Sequence, residues 1–139
     1  VNRSSNDYIL IISSHCILKN FNLENHLLDL KNYCAIFGKQ NPIWNGKRIT
    51  RRYLWSHFTN KKQTNMFSKL EDRHFFHNAL SFFNKKVLVD FPFDENLVGK
   101  EDRYWAKNVI EKNMDVLYDP SMEVDHHFTP NGNTWKGIG

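Results

Sequence analysis

The stretch Asp7-YILIISSHCILKNFNLENHLLDLKNYCAI-Phe37 decides the reading of the fold. Its opening run, residues 8–12, is apolar and rich in β-branched side chains. It predicts a strand from Asp7 to Ser14. The apolar residues do not alternate with polar ones, which predicts a parallel strand covered on both faces. Asn22 then reads as the N-cap of a helix whose apolar stripe is Leu23, Leu27, Leu28 and Leu30. Cys34 to Phe37 reads as a second short strand ending at Gly38. A strand, a helix of about three turns and another strand predict a parallel crossover, and so an α/β class.

Outward from that stretch the elements are shorter. Pro42, Asn45-Gly46 and the polar run 59–65 mark loops. Arg48 to Phe58 reads as a helix. Residues 75–83 read as a strand followed by a short helix through Val87, and Phe91 to Asp94 as a turn. Lys100 to Lys112 is the best helix. Asp115 to Tyr118 is a strand, Asp119-Pro120 a turn, and Met122 to Val124 an extended piece. The last residues, 129–139, are rich in Gly and Asn and read as a loop or tail.

With 139 residues, 40% hydrophobic and 14% aromatic, the chain can bury one core and is not of disordered composition. Its longest apolar run is strand-sized, far below the ~20 residues that span a bilayer. Cys16 and Cys34 form no CxxC pair and fit a reducing compartment. The start on Val1, beside an apolar strand, predicts a piece of a longer protein.

The net charge of +4 hides an asymmetry. Residues 30–70 hold nine Lys or Arg and no Asp or Glu, and the remainder holds ten basic and fifteen acidic residues. A segment so positive favours polyanions: phosphates, nucleic acid or an anionic membrane face. Lys47 to Trp55 interleaves basic and aromatic side chains, a pattern for phosphate contact with stacking and equally for a solvated helix face with buried aromatics. Trp44 and Trp55 are candidates for stacking on sugar rings or for the core.

In the run Glu101-DRYWAKNVIE-Lys112, residues Trp105, Ala106, Val109 and Ile110 share one helical face. Glu101 and Asp102 lie one turn before Trp105 and Ala106, at the N-terminal end of that face. Acidic residues in a first turn also complement the helix dipole. A carboxylate beside a second one is suited to general-base work, because each disfavours ionisation of the other.

Glu101-Asp102-Arg103-Tyr104-Trp105-Ala106, then a strand ending in Tyr118-Asp119-Pro120, then Val124-Asp125-His126-His127, resembles the C-terminal part of family-2 glycosyltransferases with a GT-A fold. The rhamnosyltransferase-like bacterial subgroup that builds surface polysaccharide is the nearer likeness. It has patterns similar to Gly38-Lys39-Gln40-Asn41-Pro42 and to Ser13-Ser14-His15. The resemblance covers residues 7–128, and makes 1–128 the acceptor-side, catalytic part of a Rossmann-like mixed sheet flanked by helices. It implies inverting transfer of a sugar from a nucleotide-sugar donor to a glycan or lipid-linked acceptor, with Asp102 as base and Glu101 beside it. Ser13, Ser14 and His15 stand where the wider family carries the Asp-x-Asp that holds a divalent cation, Mn²⁺ or Mg²⁺, and the donor diphosphate. Two of those carboxylates are replaced by Ser13 and His15, which shifts the preference from hard cations toward ions that accept imidazole. His15 with His126 or His127 would share a metal or hold the diphosphate. Lys39, Gln40, Arg51, Arg52 and Trp105 would face the acceptor or its phosphates. The resemblance further implies a cytoplasmic place, in peripheral contact with the inner membrane, nucleotide-binding strands before Val1, and no nucleic acid. The competing readings are a basic nucleic-acid-binding module and a non-catalytic remnant of the same fold.

Overall fold

The structure, a computed structural model, describes residues 3–49, 57–69, 71–97 and 99–130. The apolar run forms β1 (Tyr8–Ile12), and a turn at Ser13–His15 leads to β2 (Cys16–Asn20). Helix α1 (Leu23–Asp29) follows, with the Asn22 side chain accepting the Asn25 N–H at 3.0 Å as its cap. Strand β3 (Ala35–Trp44) then reaches a two-residue turn. Asn45 and Gly46, both at positive φ, fold it back into β4 (Lys47–Arg48). The short strands β5 (Gln63–Thr64), β6 (Phe67–Ser68) and β7 (Arg73–His74) precede β8 (Leu80–Asn84). Helix α2 (Lys85–Asp90), helix α3 (Glu101–Glu111) and the long strand β9 (Val116–His127) complete the described chain.

The protein is mixed α/β. Among the described residues the main sheet runs β1-β8-β3-β9-β2, with β4 on β3 and β5 on β9, while β6 and β7 pair separately. Only β3 and β9 are parallel; the other pairs are antiparallel. The expected crossover within 7–37 is therefore corrected. β8 lies between β1 and β3, and the parallel partner of β3 comes from the far end of the chain. Nor is β1 covered on both faces: it is an edge strand, and Tyr8, Leu10 and Ile12 are more than a third exposed. A continuous apolar run does not separate a central strand from an edge strand whose outer row happens to be apolar.

Three further expectations change. β3 does not end at Gly38 but runs on through Lys39, Gln40 and Pro42. Pro42 is tolerated because β8 pairs with β3 only as far as Phe37, and on that side Pro42 stands at the end of the short β3–β4 ladder, where its carbonyl accepts the Ile49 N–H at 2.8 Å. Asp119-Pro120 does not end β9. The register jumps from Gly38↔Asp119 to Lys39↔Glu123, so the intervening residues bulge and the strand resumes. A Cβ on Gly38 would lie 2.6 Å from both Leu80 Cδ2 and the Met122 carbonyl oxygen, so only glycine fits beside this bulge. In α1, Leu23 and Leu28 are more than half exposed; the buried face carries His26, with Leu27 and Leu30 beside it.

Two apolar layers enclose the sheet. Phe37, Phe76, Phe83, Trp105, Val109 and Tyr118 pack on the side of α3. Ile36, Leu80, Phe82, Leu117, Met122 and Val124 pack on the side of α1. Burying each such side chain contributes about 1.5–3 kcal/mol. Trp105, Ala106 and Val109 are the buried stripe expected for α3. Asn113, at φ 60°, closes that helix: its N–H reaches Ile110 O at 2.9 Å, and Met114 N–H reaches Val109 O at 3.1 Å.

Cys16 and Cys34 are free thiols. No helix among the described residues is long and apolar enough to cross a membrane. The expected helix Arg48–Phe58, with Arg51, Arg52 and Trp55, falls largely outside the described residues, as does most of the tail after Pro130.

Candidate functional site

Chain direction fixes where the chemistry-bearing residues gather. β1 and β3 point the same way, because β8 is antiparallel to both. The turn at Ser13–His15 therefore lies at the carboxyl end of β1, beside the start of β8. Ser13 N donates to Ala79 O at 3.1 Å, and Ser13 Oγ donates to Asn78 O at 3.3 Å. Clefts in α/β proteins form at this end of a sheet.

β2 leaves the turn and pairs with the end of β9, which carries Cys16 opposite His126. Nε2 of His15 and Nε2 of His126 meet at 2.8 Å, and the rings lie 4.6 Å apart. Nδ1 of His126 bonds to the Gln40 side-chain oxygen. That oxygen only accepts, so Nδ1 carries the proton and Nε2 of His126 presents a lone pair. Desolvation lowers the His15 pKa. Burial first, then the neighbouring His15, His77 and His127, push His126 down to about 3. Both rings are thus neutral near pH 7, the state a metal ligand requires. Cys16 Sγ joins them, and the three ligand atoms lie within 4.8 Å of one another. Its thiol is pushed up to about 12 by burial, so metal binding through sulfur would release a proton.

His127 does not join this group. As the next residue of β9 it faces the other way, while its backbone N–H donates to His15 O at 2.9 Å. The metal role expected of His127 is corrected on that ground. Gln40 is also reassigned: it is buried against His126 and holds that ring rather than facing an acceptor. Ser14 is exposed on the turn.

On the opposite side of the sheet stands α3. Its first turn, with Glu101 and Asp102, lies beside Arg73 of β7. Asp102 Oδ1 accepts the Arg103 N–H at 2.8 Å. Burial first, then the charge of Glu101, raise the Asp102 carboxyl to about 6, against the opposing pull of Arg103 and Arg73. Glu101 Oε2 is buried with no hydrogen-bond partner among the described residues. Helix-dipole complementation alone does not account for a carboxyl whose proton affinity has risen.

Trp105 does not face an acceptor. It is 3% exposed, its Nε1 donates to Phe91 O at 2.7 Å, and Phe76, Phe83 and Phe93 surround it. Lys39 bonds the Asn60 side chain at 3.0 Å on the surface. Lys62 lies 2.8 Å from Asp29 and 2.9 Å from Asp119. Part of the positive segment is thus neutralised within the fold. Burial would raise the Asp119 pKa. Hydrogen bonds from His26, Lys62 and Ser121 outweigh that and hold it well below the usual carboxylate range. This group ties α1 to the bulge of β9.

Sequence reasoning missed His77, Arg73 and Cys16. His77 is buried among Phe37, Phe58 and Phe75; its Nε2 donates to Gly38 O at 2.8 Å, and burial lowers its pKa to about 4. In the run Phe75-Phe76-His77-Asn78 nothing but spacing hints at a role. The structure brings His15, Cys16, His126 and Gln40 together on the α1 side, and Glu101, Asp102 and Arg73 together at the α3 end. The sheet divides the two groups.

No family model, curated protein or solved structure matches this chain.

Proposed function

We propose that this chain is the acceptor-side, catalytic part of an inverting family-2-type glycosyltransferase with a GT-A fold. The observation that carries the reading is the Asp102 carboxyl, half-buried beside Glu101 and pushed up to about 6 by desolvation and by that neighbour. A base of that proton affinity is about nine-tenths ionised at pH 7 and accepts a hydroxyl proton more readily than an ordinary carboxylate. In the reaction an acceptor hydroxyl attacks the anomeric carbon of a nucleotide-sugar. The new C–O bond forms as the bond to the diphosphate breaks. The nucleoside diphosphate leaves with the electron pair, and Asp102 takes the hydroxyl proton.

One further feature supports the reading: the β1–β2 turn, at the carboxyl end of β1, carries a cluster of metal-ligating type. His15 and His126 with Cys16 would hold a divalent ion on the other face of the sheet from Asp102; beside Asp102 the positive charge for the leaving diphosphate is that of Arg73 and Arg103. Two imidazoles and a thiol suit Zn²⁺, accept Mn²⁺ less well, and do not suit Mg²⁺. The reading places the protein in the cytoplasm at the inner membrane face, acting on a glycan or lipid-linked acceptor of surface polysaccharide, with the nucleotide held by strands beyond β1. Release of nucleoside diphosphate from a panel of nucleotide-sugars, assayed in the full-length protein with and without Asp102→Asn, tests it. Transfer that survives the substitution removes Asp102 as base.

A further inference from the structure

A cleft lies against α3, on the side of the β6–β7 hairpin. It has a volume of about 420 Å³, within the ~300–1,000 Å³ of small-molecule sites. Arg73, Lys100, Arg103 and Lys107 line it, against Asp72 and Glu111. Lys107 reaches Glu111 at 3.8 Å, and Arg73 pairs with Glu71. Lys100 and Arg103 have no ion-pair partner among the described residues. Two cations thus line the cleft outside any close ion pair, with Asp72, Glu111 and Asp102 as the nearby carboxyls. Arg73 is held in place by Glu71, by the His74 carbonyl at 3.2 Å and by the Phe75 ring 5.4 Å away. Its Nη1 and Nη2 each hold one of these partners, so Arg73 offers the cleft its remaining terminal N–H groups from a position already fixed, and loses little further freedom on binding.

The walls are not purely charged. Phe67 and Tyr104 line the same cleft and are each about half exposed. An aromatic ring beside a cationic patch offers a saccharide ring an apolar face while the cations hold an attached anion. The cleft also adjoins the candidate base, because Arg73 and Arg103 both act on the Asp102 carboxyl. Of the expected phosphate contacts, Lys39 and Gln40 line no part of this cleft, and Arg51 and Arg52 lie outside the described residues.

We propose that this cleft binds the phosphate of a phosphate-bearing saccharide, with Lys100, Arg103 and Arg73 on the anion and Tyr104 and Phe67 against the sugar. Calling that saccharide the acceptor rests on the glycosyltransferase reading; the binding itself does not. The phosphate comes from one of two sources: the diphosphate that joins a glycan to an isoprenoid lipid, or a phosphate substituent within the glycan.

The test is a calorimetric titration of the chain with three probes: glucose 1-phosphate, glucose linked to farnesyl diphosphate, and methyl glucoside. The phosphorylated probes are expected to bind at least tenfold more tightly than methyl glucoside, with affinity falling as salt rises. Tighter binding of the farnesyl diphosphate probe identifies the lipid-linked source; equal or weaker binding identifies the glycan phosphate. Lys100→Gln with Arg103→Gln is expected to weaken both phosphorylated probes at least tenfold, and circular dichroism checks the fold. Lys107→Gln, on an exposed side chain, gives a milder loss and keeps the test open if the double variant unfolds. Unchanged affinity in these variants, or methyl glucoside binding as tightly as glucose 1-phosphate, overturns the proposal. Asp102→Asn is expected to retain binding of the phosphorylated probes. Loss of transfer activity and loss of this site are thereby read separately.

Discussion

The Nε2 atoms of His15 and His126 face each other at 2.8 Å, although the residues lie 111 positions apart in the chain. The antiparallel pairing of β2 with β9 creates this meeting, and Gln40 orients one of the two rings.

Titration with Zn²⁺ is therefore expected to find one site per chain, and Co²⁺ in its place to give the absorption of a low-coordinate thiolate–imidazole complex. His15→Ala and His126→Ala each lower the affinity at least tenfold, while His127→Ala leaves it unchanged. Both imidazoles are already neutral at pH 7, but the Cys16 thiol must lose its proton on binding, so affinity falls about tenfold between pH 7 and pH 6. A His127→Ala loss equal to that of His126→Ala contradicts this assignment.

Stability against pH carries opposing contributions. His77 and His126 titrate lower in the folded chain than the 6.5 of a free imidazole, at about 4 and about 3. Below pH 6.5 the unfolded chain binds their protons first, so their stabilisation is full above pH 6.5 and is lost as pH falls. For His77 the loss is about 3 kcal/mol by pH 4. Asp102 works the other way: raised from 3.8 to about 6, it stabilises below pH 3.8 and loses that as pH rises through 6. Denaturant unfolding from pH 4 to pH 7 is expected to show stability rising with pH, and rising more steeply in Asp102→Asn. At pH 7 that variant is the more stable protein, because a buried charge has been removed. A parallel pair of curves contradicts the raised pKa of Asp102.

Gly38→Ala is expected to lower stability by about 1–3 kcal/mol, the usual cost of overpacking. The added carbon meets Leu80 Cδ2 and the Met122 carbonyl at 2.6 Å, and neither the strand nor the bulge yields easily. Thermal unfolding reads this as a fall of roughly 3 °C per kcal/mol. An unchanged midpoint contradicts the tight crossing of β3 and the β9 bulge.

What the sequence makes legible follows from local periodicity. Trp105, Ala106 and Val109 repeat at helical spacing, so α3 and the inward phase of Glu101-Asp102 are readable, as is the Asn22 cap. Pairing partners are not. β2 is half polar and is held only by β9, so nothing in Cys16-Ile-Leu-Lys-Asn20 marks it as a strand. Asp119-Pro120 has the composition of a turn and forms a bulge, because β3 holds the strand both before and after it. The cationic cleft joins Arg73 on a hairpin to Lys100 and Arg103 on a helix, and only tertiary structure sets them together.

The central claim is that Asp102 takes the proton of an acceptor hydroxyl. The most direct measurement is the transfer rate of the full-length protein, wild type against Asp102→Asn, at saturating nucleotide-sugar and pH 7.5. The account predicts a fall of about 10²–10⁴-fold with the fold unchanged by circular dichroism and no weaker donor binding. A variant that transfers sugar at close to the wild-type rate contradicts it.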